Sequence, residues 1–183
     1  MFTGKDVKFG GSNLRPQATG YGVVYFAKHM LDEKDKKLEG MTCCVSGSGS
    51  VALYCAEKLI EEGARVVTMS DSDGYIHVKD GIDRDLLAKI MDIKMNKRGR
   101  IKDAAGDGVK YVEGKAVWEV QCDLAFPCAT QNEIDKDEAK TLIKNGVVAV
   151  IEGANMPCSA DAQHIFHVSS SSREQEEGRV GGR

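Results

Sequence analysis

The sequence predicts an α/β domain built on a doubly wound, mostly parallel sheet. Three observations predict it. Short apolar runs alternate with helix-period segments. The runs carry their apolar residues consecutively rather than at every second position, as strands buried on both faces do. One run also passes through a glycine turn into a helix and then into a second run of the same kind.

Taken in order, Val23, Phe26, Ala27, Met30 and Leu31 recur at helical spacing and give way to the charged stretch 32–37 before Gly40. Residues 41–46 (MTCCVS) read as a buried strand, broken by Gly47 and Gly49. Residues 50–62 place Val51, Cys55 and Leu59 on one face, and Gly63 stands where a helix C-cap belongs. Residues 65–70 (RVVTMS) are strand-like and end in a turn signal, Asp71-Ser72-Asp73-Gly74. This is a β–α–β unit, parallel strands joined by a crossover helix.

The alternation continues. Residues 83–94 read as a helix with Leu86, Leu87, Ile90 and Ile93 inward, 109–112 as a short strand, and 122–126 as a strand stopped by Pro127. Asp135 and Glu138 form a D-x-x-E helix start, the helix ends at Gly146, and 147–151 (VVAVI) is a buried strand. The ends differ: 1–17 reads as a lead-in and 18–168 as the domain. From 169 to 183 the only large apolar residue is Val180, so this tail is expected to be disordered or aberrant.

Composition narrows the function classes. The 183 residues carry 25 Lys+Arg against 28 Asp+Glu, a net charge of −3, which gives no broad attraction for nucleic acid or anionic lipid. No apolar run approaches the ~20 residues of a membrane span, and no signal-peptide stretch opens the chain. The six cysteines form no C-x-x-C pair and sit among apolar neighbours, as reduced thiols of a cytoplasmic protein do. The four histidines lack zinc-site spacing, no G-x-S-x-G occurs, and Gly4-Lys5 and Gly114-Lys115 lack the rest of a P-loop. The reading is a small-molecule protein with no metal, nucleic acid or membrane partner.

The strongest motif is Gly47-Ser48-Gly49-Ser50-Val51-Ala52, a G-x-G-x-x-A that closes a strand and opens a helix, the context a Rossmann-like dinucleotide turn demands. Gly47 permits the tight turn, Gly49 the close approach of a pyrophosphate, and Ala52 close helix–strand packing. The helix N-terminus adds free N–H groups and partial positive charge. The bland alternative is a tight strand–helix turn.

Asp71 follows at about the ~20-residue distance of an acid that bonds a ribose hydroxyl, which favours NAD. Ser72 beside it, and Lys94 with Lys97 on one face of the following helix, favour a 2′-phosphate and hence NADP. The two lysines also fit a solvated basic helix end. On these residues alone, NAD and NADP remain open. The loops 128–132 and 152–155 follow strands, so in a doubly wound sheet they would line the cofactor crevice; as isolated tetrapeptides they are ordinary turns.

Five motifs in order carry a family resemblance: residues 15–22 (RPQATGYG), 46–52 (SGSGSVA), 70–74 (SDSDG), 127–133 (PCATQNE) and 152–157 (EGANMP). From about Thr3 to Phe166 the chain resembles the cofactor-binding domain of NADP-type glutamate dehydrogenases. The resemblance implies NADP as cofactor, glutamate, 2-oxoglutarate and ammonia as small-molecule substrates, and hydride transfer from the substrate Cα followed by imine hydrolysis. It implies cofactor contacts at Arg15 and Thr19, at Gly47, Ser48, Gly49, Ser50 and Val51, at Asp71, Ser72 and Lys94, at Ala129, Thr130 and Gln131, and at Asn155. Ser50 departs from the asparagine usual there and loses an amide donor.

The family's catalytic lysine and aspartate belong to an N-terminal domain with no counterpart before Met1, so no catalytic residue is assigned to this chain. The resemblance stops at His167, where a truncated or frame-shifted record would account for the change in composition. The expectation is a partial chain that binds NADP(H) without turning over glutamate; the alternative is an inactive NADP-binding remnant. Another amino-acid dehydrogenase fits the middle motifs less well. The family's full-length members form homo-hexamers, largely through the missing domain.

Overall fold

The computed structural model describes residues 5–13 and 15–180, with side chains described as far as Ser170. Residues 1–4 of the expected lead-in and 181–183 of the expected tail lie outside the described residues. The first long helix, α1 (Arg15–Asp32), begins ahead of the apolar periodicity, so Arg15 to Gln17 belong to it rather than to a lead-in.

The predicted β–α–β unit is present as β1 (Thr42–Val45), α2 (Ser50–Glu61) and β2 (Arg65–Asp71). Then come β3 (Gly74–His77), α3 (Arg84–Met91), β4 (Lys110–Glu113), β5 (Leu124–Phe126), α4 (Lys136–Lys144), β6 (Ala149–Val150) and α5 (Ala160–Val180). One sheet holds all six strands in the order β4-β3-β2-β1-β5-β6. The pairs β1–β2, β1–β5 and β5–β6 are parallel, while β3 runs antiparallel to both β2 and β4. Five strands therefore point one way and only β3 is reversed, which is the mostly parallel sheet expected.

Consecutive strand residues bury to opposite faces, as the pleat requires. Cys43, Val45, Val66, Met69, Leu124 and Phe126 join one core with α1, α2 and α3. Cys44, Val67 and Ala125 join the other with Trp118, Leu142 of α4 and Ala162 of α5. Two cores, one on each face, make the sheet doubly wound and explain why its strands read as unbroken apolar runs. All six cysteines are buried and unpaired.

The β1–β2 ladder slips between Cys43 and Cys44. There the fully buried Thr68 substitutes its side chain for a backbone partner: Oγ1 accepts from Val45 N–H at 3.1 Å and donates to Val45 C=O at 3.2 Å.

The structure adds to these expectations and corrects two of them. The turn expected at Asp71 to Gly74 is present as a hairpin turn, and it leads into β3, a strand outside the sequence reading, which pairs Gly74 to Asp71 and His77 to Thr68. Such a short strand gives too little periodicity to register. The helix expected over 83–94 is α-helical only to Met91 and continues as a π-turn, Asp92–Asn96. That change rotates Lys94 and Lys97 apart. Lys97 pairs with Asp92 at 2.7 Å, while Lys94 turns inward to Gly99 C=O and Asp71, so the two share no face. Finally, α5 runs as one helix from Ala160 to Val180. The Arg, Glu and Gln residues there are good helix formers, so propensity supplies what apolar content does not.

Candidate functional site

The carboxyl ends of β1, β2 and β5 converge where the strand order leaves β1 in both directions, the position at which a doubly wound sheet opens a crevice. A cavity of about 550 Å³ lies there. Ser46, Gly47, Ser48 and Gly49 form its floor, Ser70, Asp71 and Ser72 one wall, and Cys128, Ala129, Thr130 and Glu133 the other. Residues 115–118 close a further side.

The floor is built by the glycine turn. Gly47 adopts a left-handed conformation, φ 86°, and an added Cβ would stand 3.0 Å from Ala129 Cα and 3.1 Å from Cys128 C=O. Ser70 locks the turn from the β2 side: its hydroxyl accepts from Gly47 N–H at 2.8 Å, and its own N–H donates to Gly47 C=O at 3.1 Å. Gly49 is the N-cap of α2 and has no side chain to cap with. Nothing stands within 4 Å of where its Cβ would lie. Among the described residues no side chain caps α2, so its first N–H groups face open space. That is an anion cradle: unpaired donors, the positive helix end, and room for a phosphate at Gly49.

The β2 wall decides what charge the far end accepts. Asp71, only 8% exposed, accepts from Asp73 N–H at 3.1 Å and Ile101 N–H at 2.8 Å, with Lys94 Nζ at 3.8 Å. Its carboxylate is thus occupied in holding the chain at 101 against the end of β2. Ser72 stands exposed beside it, and Arg100 Nη1 donates to its hydroxyl at 2.9 Å while Nε lies 3.4 Å from Asp73. Sequence reading missed Arg100: no spacing links it to Ser72, and only the Asp71 tether to Ile101 brings them together.

On the other wall, Glu133 folds back on its own loop. It accepts from Ala129 N–H at 2.9 Å and Thr130 N–H at 3.3 Å. The Ser46 hydroxyl, at the end of β1, accepts from Cys128 N–H of the same loop at 2.9 Å. Burial pushes the Glu133 carboxyl above its ordinary range, partly offset by these donors. Glu133 stands in the fourth recognisable motif, but its inward carboxylate was not readable from spacing.

The expected site residues therefore fall into two groups. The crevice gathers Gly47, Ser48, Gly49, Asp71, Ser72, Ala129 and Thr130. Arg15, Thr19, Ser50, Val51, Lys94, Gln131 and Asn155 do not line it. Ser50 and Val51 are the first turn of α2, immediately beyond the floor. Thr19 is exposed on α1 beside Gly20, which packs so closely on α2 that an added Cβ would stand 2.7 Å from Val51 C=O and Cys55 N. Arg15 is one turn earlier and exposed. Asn155 and Gln131 are exposed on adjoining loops, tied by Asn132 N–H to Met156 C=O at 3.0 Å and by Gly153 and Ala154 N–H to Pro127 C=O, both at 2.9 Å. Among the described residues no cluster of three His, Cys, Asp or Glu could hold a metal, and no helix is long and apolar enough to cross a membrane.

Fold and crevice define a Rossmann-like, doubly wound α/β domain with an anion cradle at its switch point. The model of the Glutamate/Leucine/Phenylalanine/Valine dehydrogenase family matches residues 10–170, and the chain belongs to that family. It is 57% identical over 167 residues to an NAD(P)-specific glutamate dehydrogenase of Xylanibacter ruminicola, covering 91% of this chain and 38% of that protein. It is 54% identical over 163 residues to an NADP-specific glutamate dehydrogenase of Haemophilus influenzae, covering 88% and 36%. Among solved structures, the glutamate dehydrogenase of Plasmodium falciparum superimposes with a TM-score of 0.88 at 48% identity, over 91% of this chain and 36% of that one. The chain thus spans little more than a third of the length of the relatives it matches.

Proposed function

We propose that the chain is the cofactor-binding part of an NADP-dependent glutamate dehydrogenase, which oxidatively deaminates L-glutamate to 2-oxoglutarate and ammonia and catalyses the reverse amination. The glutamate, 2-oxoglutarate and ammonia of the reaction, the homo-hexameric assembly and a cytoplasmic location belong to the same proposal. The names of the relatives support the glutamate dehydrogenase reaction and its cofactor.

The observation that carries the cofactor choice is the pairing at the end of β2. Asp71 is held inward by two amide donors, whereas the Ser72 hydroxyl and the Arg100 guanidinium stand exposed, held together by Asp73, to which Ser72 donates at 3.1 Å and from which Arg100 Nε lies 3.4 Å. A 2′-phosphate suits that pair better than a ribose hydroxyl does. Lys94 adds positive charge behind Asp71. The residues fit the remainder of the group as well: the open space at Gly49 and the uncapped α2 N-terminus suit a pyrophosphate.

In this reading Gly47, Ser48, Gly49, Ser50 and Val51 hold the phosphates by backbone N–H groups. Ala129, Thr130, Gln131 and Asn155, on the loops after β5 and β6, together with Thr19 and Arg15 on α1, orient the far half. When bound, NADP supplies hydride-accepting chemistry; the chain's own residues bind and orient it and keep water from the crevice wall. Titration by fluorescence tests the reading. Wild-type chain should bind NADPH at least about tenfold more tightly than NADH, and Arg100→Ala should remove most of that preference, since a charge-assisted hydrogen bond is worth about 1.5–3 kcal/mol. Equal affinities for the two nucleotides would overturn it.

A further inference from the structure

Glu133 is a half-buried carboxylate with, among the described residues, no cationic partner. Its charge is met instead by donors of its own loop. One oxygen, Oε1, takes both Ala129 N–H and Thr130 N–H. Ser46, 3% exposed at the end of β1, ties the same loop down from the other side, its hydroxyl oxygen receiving Cys128 N–H at 2.9 Å. The loop turns back through Asn132, which holds φ 53°, and the Glu133 backbone carbonyl accepts from Trp118 Nε1 at 3.3 Å. The loop lies close on the floor: Ala129 Cα and Cys128 C=O stand 3.0 and 3.1 Å from where a Cβ on Gly47 would be. The other titratable groups near this cluster are Cys128, Cys158 and Glu152; burial, then Glu152 and last Glu133, push the Cys158 thiol up.

We propose that Glu133 is a positioning residue: its carboxylate closes the loop after β5 on itself, beside the Ser46–Cys128 bond that ties this loop to the end of β1, and so fixes the crevice wall that receives the nicotinamide half of the dinucleotide. The inference rests on the reading of the crevice as an NADP(H) site. Since the 2′-phosphate end is assigned to β2, the rest of a dinucleotide crossing the switch point must lie along the β5 and β6 loops. Loosening the clasp therefore affects one half of the ligand only. A carboxylate suits the role because it accepts several donors and brings no proton of its own. A glutamine keeps the Oε1 acceptor for the two amides.

The test compares wild-type chain with Glu133→Ala and Glu133→Gln, using NADPH and 2′,5′-ADP, which reaches only the β2 side, as probes. Backbone hydrogen exchange at residues 129 and 130 is followed in parallel. Glu133→Ala should weaken NADPH about tenfold, leave 2′,5′-ADP within about twofold, and speed exchange of the Ala129 and Thr130 amides; Glu133→Gln should recover most of the loss. Unchanged NADPH affinity and exchange in Glu133→Ala would overturn the proposal, as would equal weakening of both probes or a glutamine no better than alanine. Wild-type chain that binds neither nucleotide would overturn the cofactor reading together with the clasp's role in it, whereas failures confined to the Glu133 variants overturn the clasp alone.

Discussion

Gly47 and Gly49 stand two residues apart in one turn, yet their replacement by alanine should have opposite consequences. At Gly47 the backbone is left-handed, φ 86°, which costs an alanine about 1–2 kcal/mol. Its Cβ would also stand 3.0, 3.1 and 3.2 Å from Ala129 Cα, Cys128 C=O and Ala129 N, all backbone atoms that move only with their loop. Overpacking of that kind adds about 1–3 kcal/mol. Gly47→Ala should therefore lose about 2–5 kcal/mol in urea unfolding, with a Tm lowered by roughly 4–20 °C for a chain of this size. At Gly49, φ is −83° and nothing stands within 4 Å of the added Cβ. The entropy gained by removing a glycine, about 0.4–1 kcal/mol, offsets the poorer N-cap, so stability should stay within about 1 kcal/mol. The methyl group instead fills the space assigned to the pyrophosphate, and NADPH affinity should fall about tenfold or more. A Gly47→Ala chain as stable as wild type would refute the packing argument. A Gly49→Ala chain that binds NADPH normally would refute the cradle.

Other expectations concern the frame that carries the site. Thr68→Val removes the hydroxyl that bonds both Val45 N–H and C=O in the core, and two unpaired buried groups should cost about 2–4 kcal/mol by chemical denaturation; a loss under about 0.5 kcal/mol would contradict that role. On α1, Gly20→Ala drives Cβ against α2 backbone and should destabilise by at least about 2 kcal/mol, whereas Gly22→Ala, with nothing within 4 Å, should stabilise by about 0.5–1 kcal/mol. Tyr21 donates to Glu57 at 2.7 Å, and that bond, then burial, pushes its phenol up to about 12. Because the folded value is raised, the bond's contribution is full below pH 10 and is lost as pH rises through about 12. In ultraviolet titration of the chain, Tyr21→Phe should remove a late-ionising tyrosine; an unchanged titration curve would contradict the assignment.

The elements written in local pattern were legible in the sequence. The β1–α2–β2 unit, its glycine turn and the Asp135–Glu138 capping box all rest on residues within one turn or strand of each other, and the box closes as expected, Glu138 accepting from Asp135 N–H at 3.0 Å. What escaped was set by contacts distant in sequence. β3 is a strand because β2 and β4 flank it, not because its four residues alternate. Lys94 faces Asp71 because a π-turn rotates it there. Arg100 meets Ser72 because Asp71 holds Ile101, and Glu133 turns inward because two loop amides await it. In the tail, the expectation of disorder rests on the lack of apolar residues alone, whereas the Arg, Glu and Gln residues there carry helix propensity of their own.

The most direct test is a crystal structure of the chain with NADPH. The account predicts the pyrophosphate within hydrogen-bond distance of the N–H groups of residues 48–51, and the 2′-phosphate on the Ser72 hydroxyl and the Arg100 guanidinium. It also predicts the nicotinamide over the loops at 129–131 and 153–155. NADPH bound elsewhere, or bound here with its 2′-phosphate turned away from Ser72 and Arg100, would contradict it.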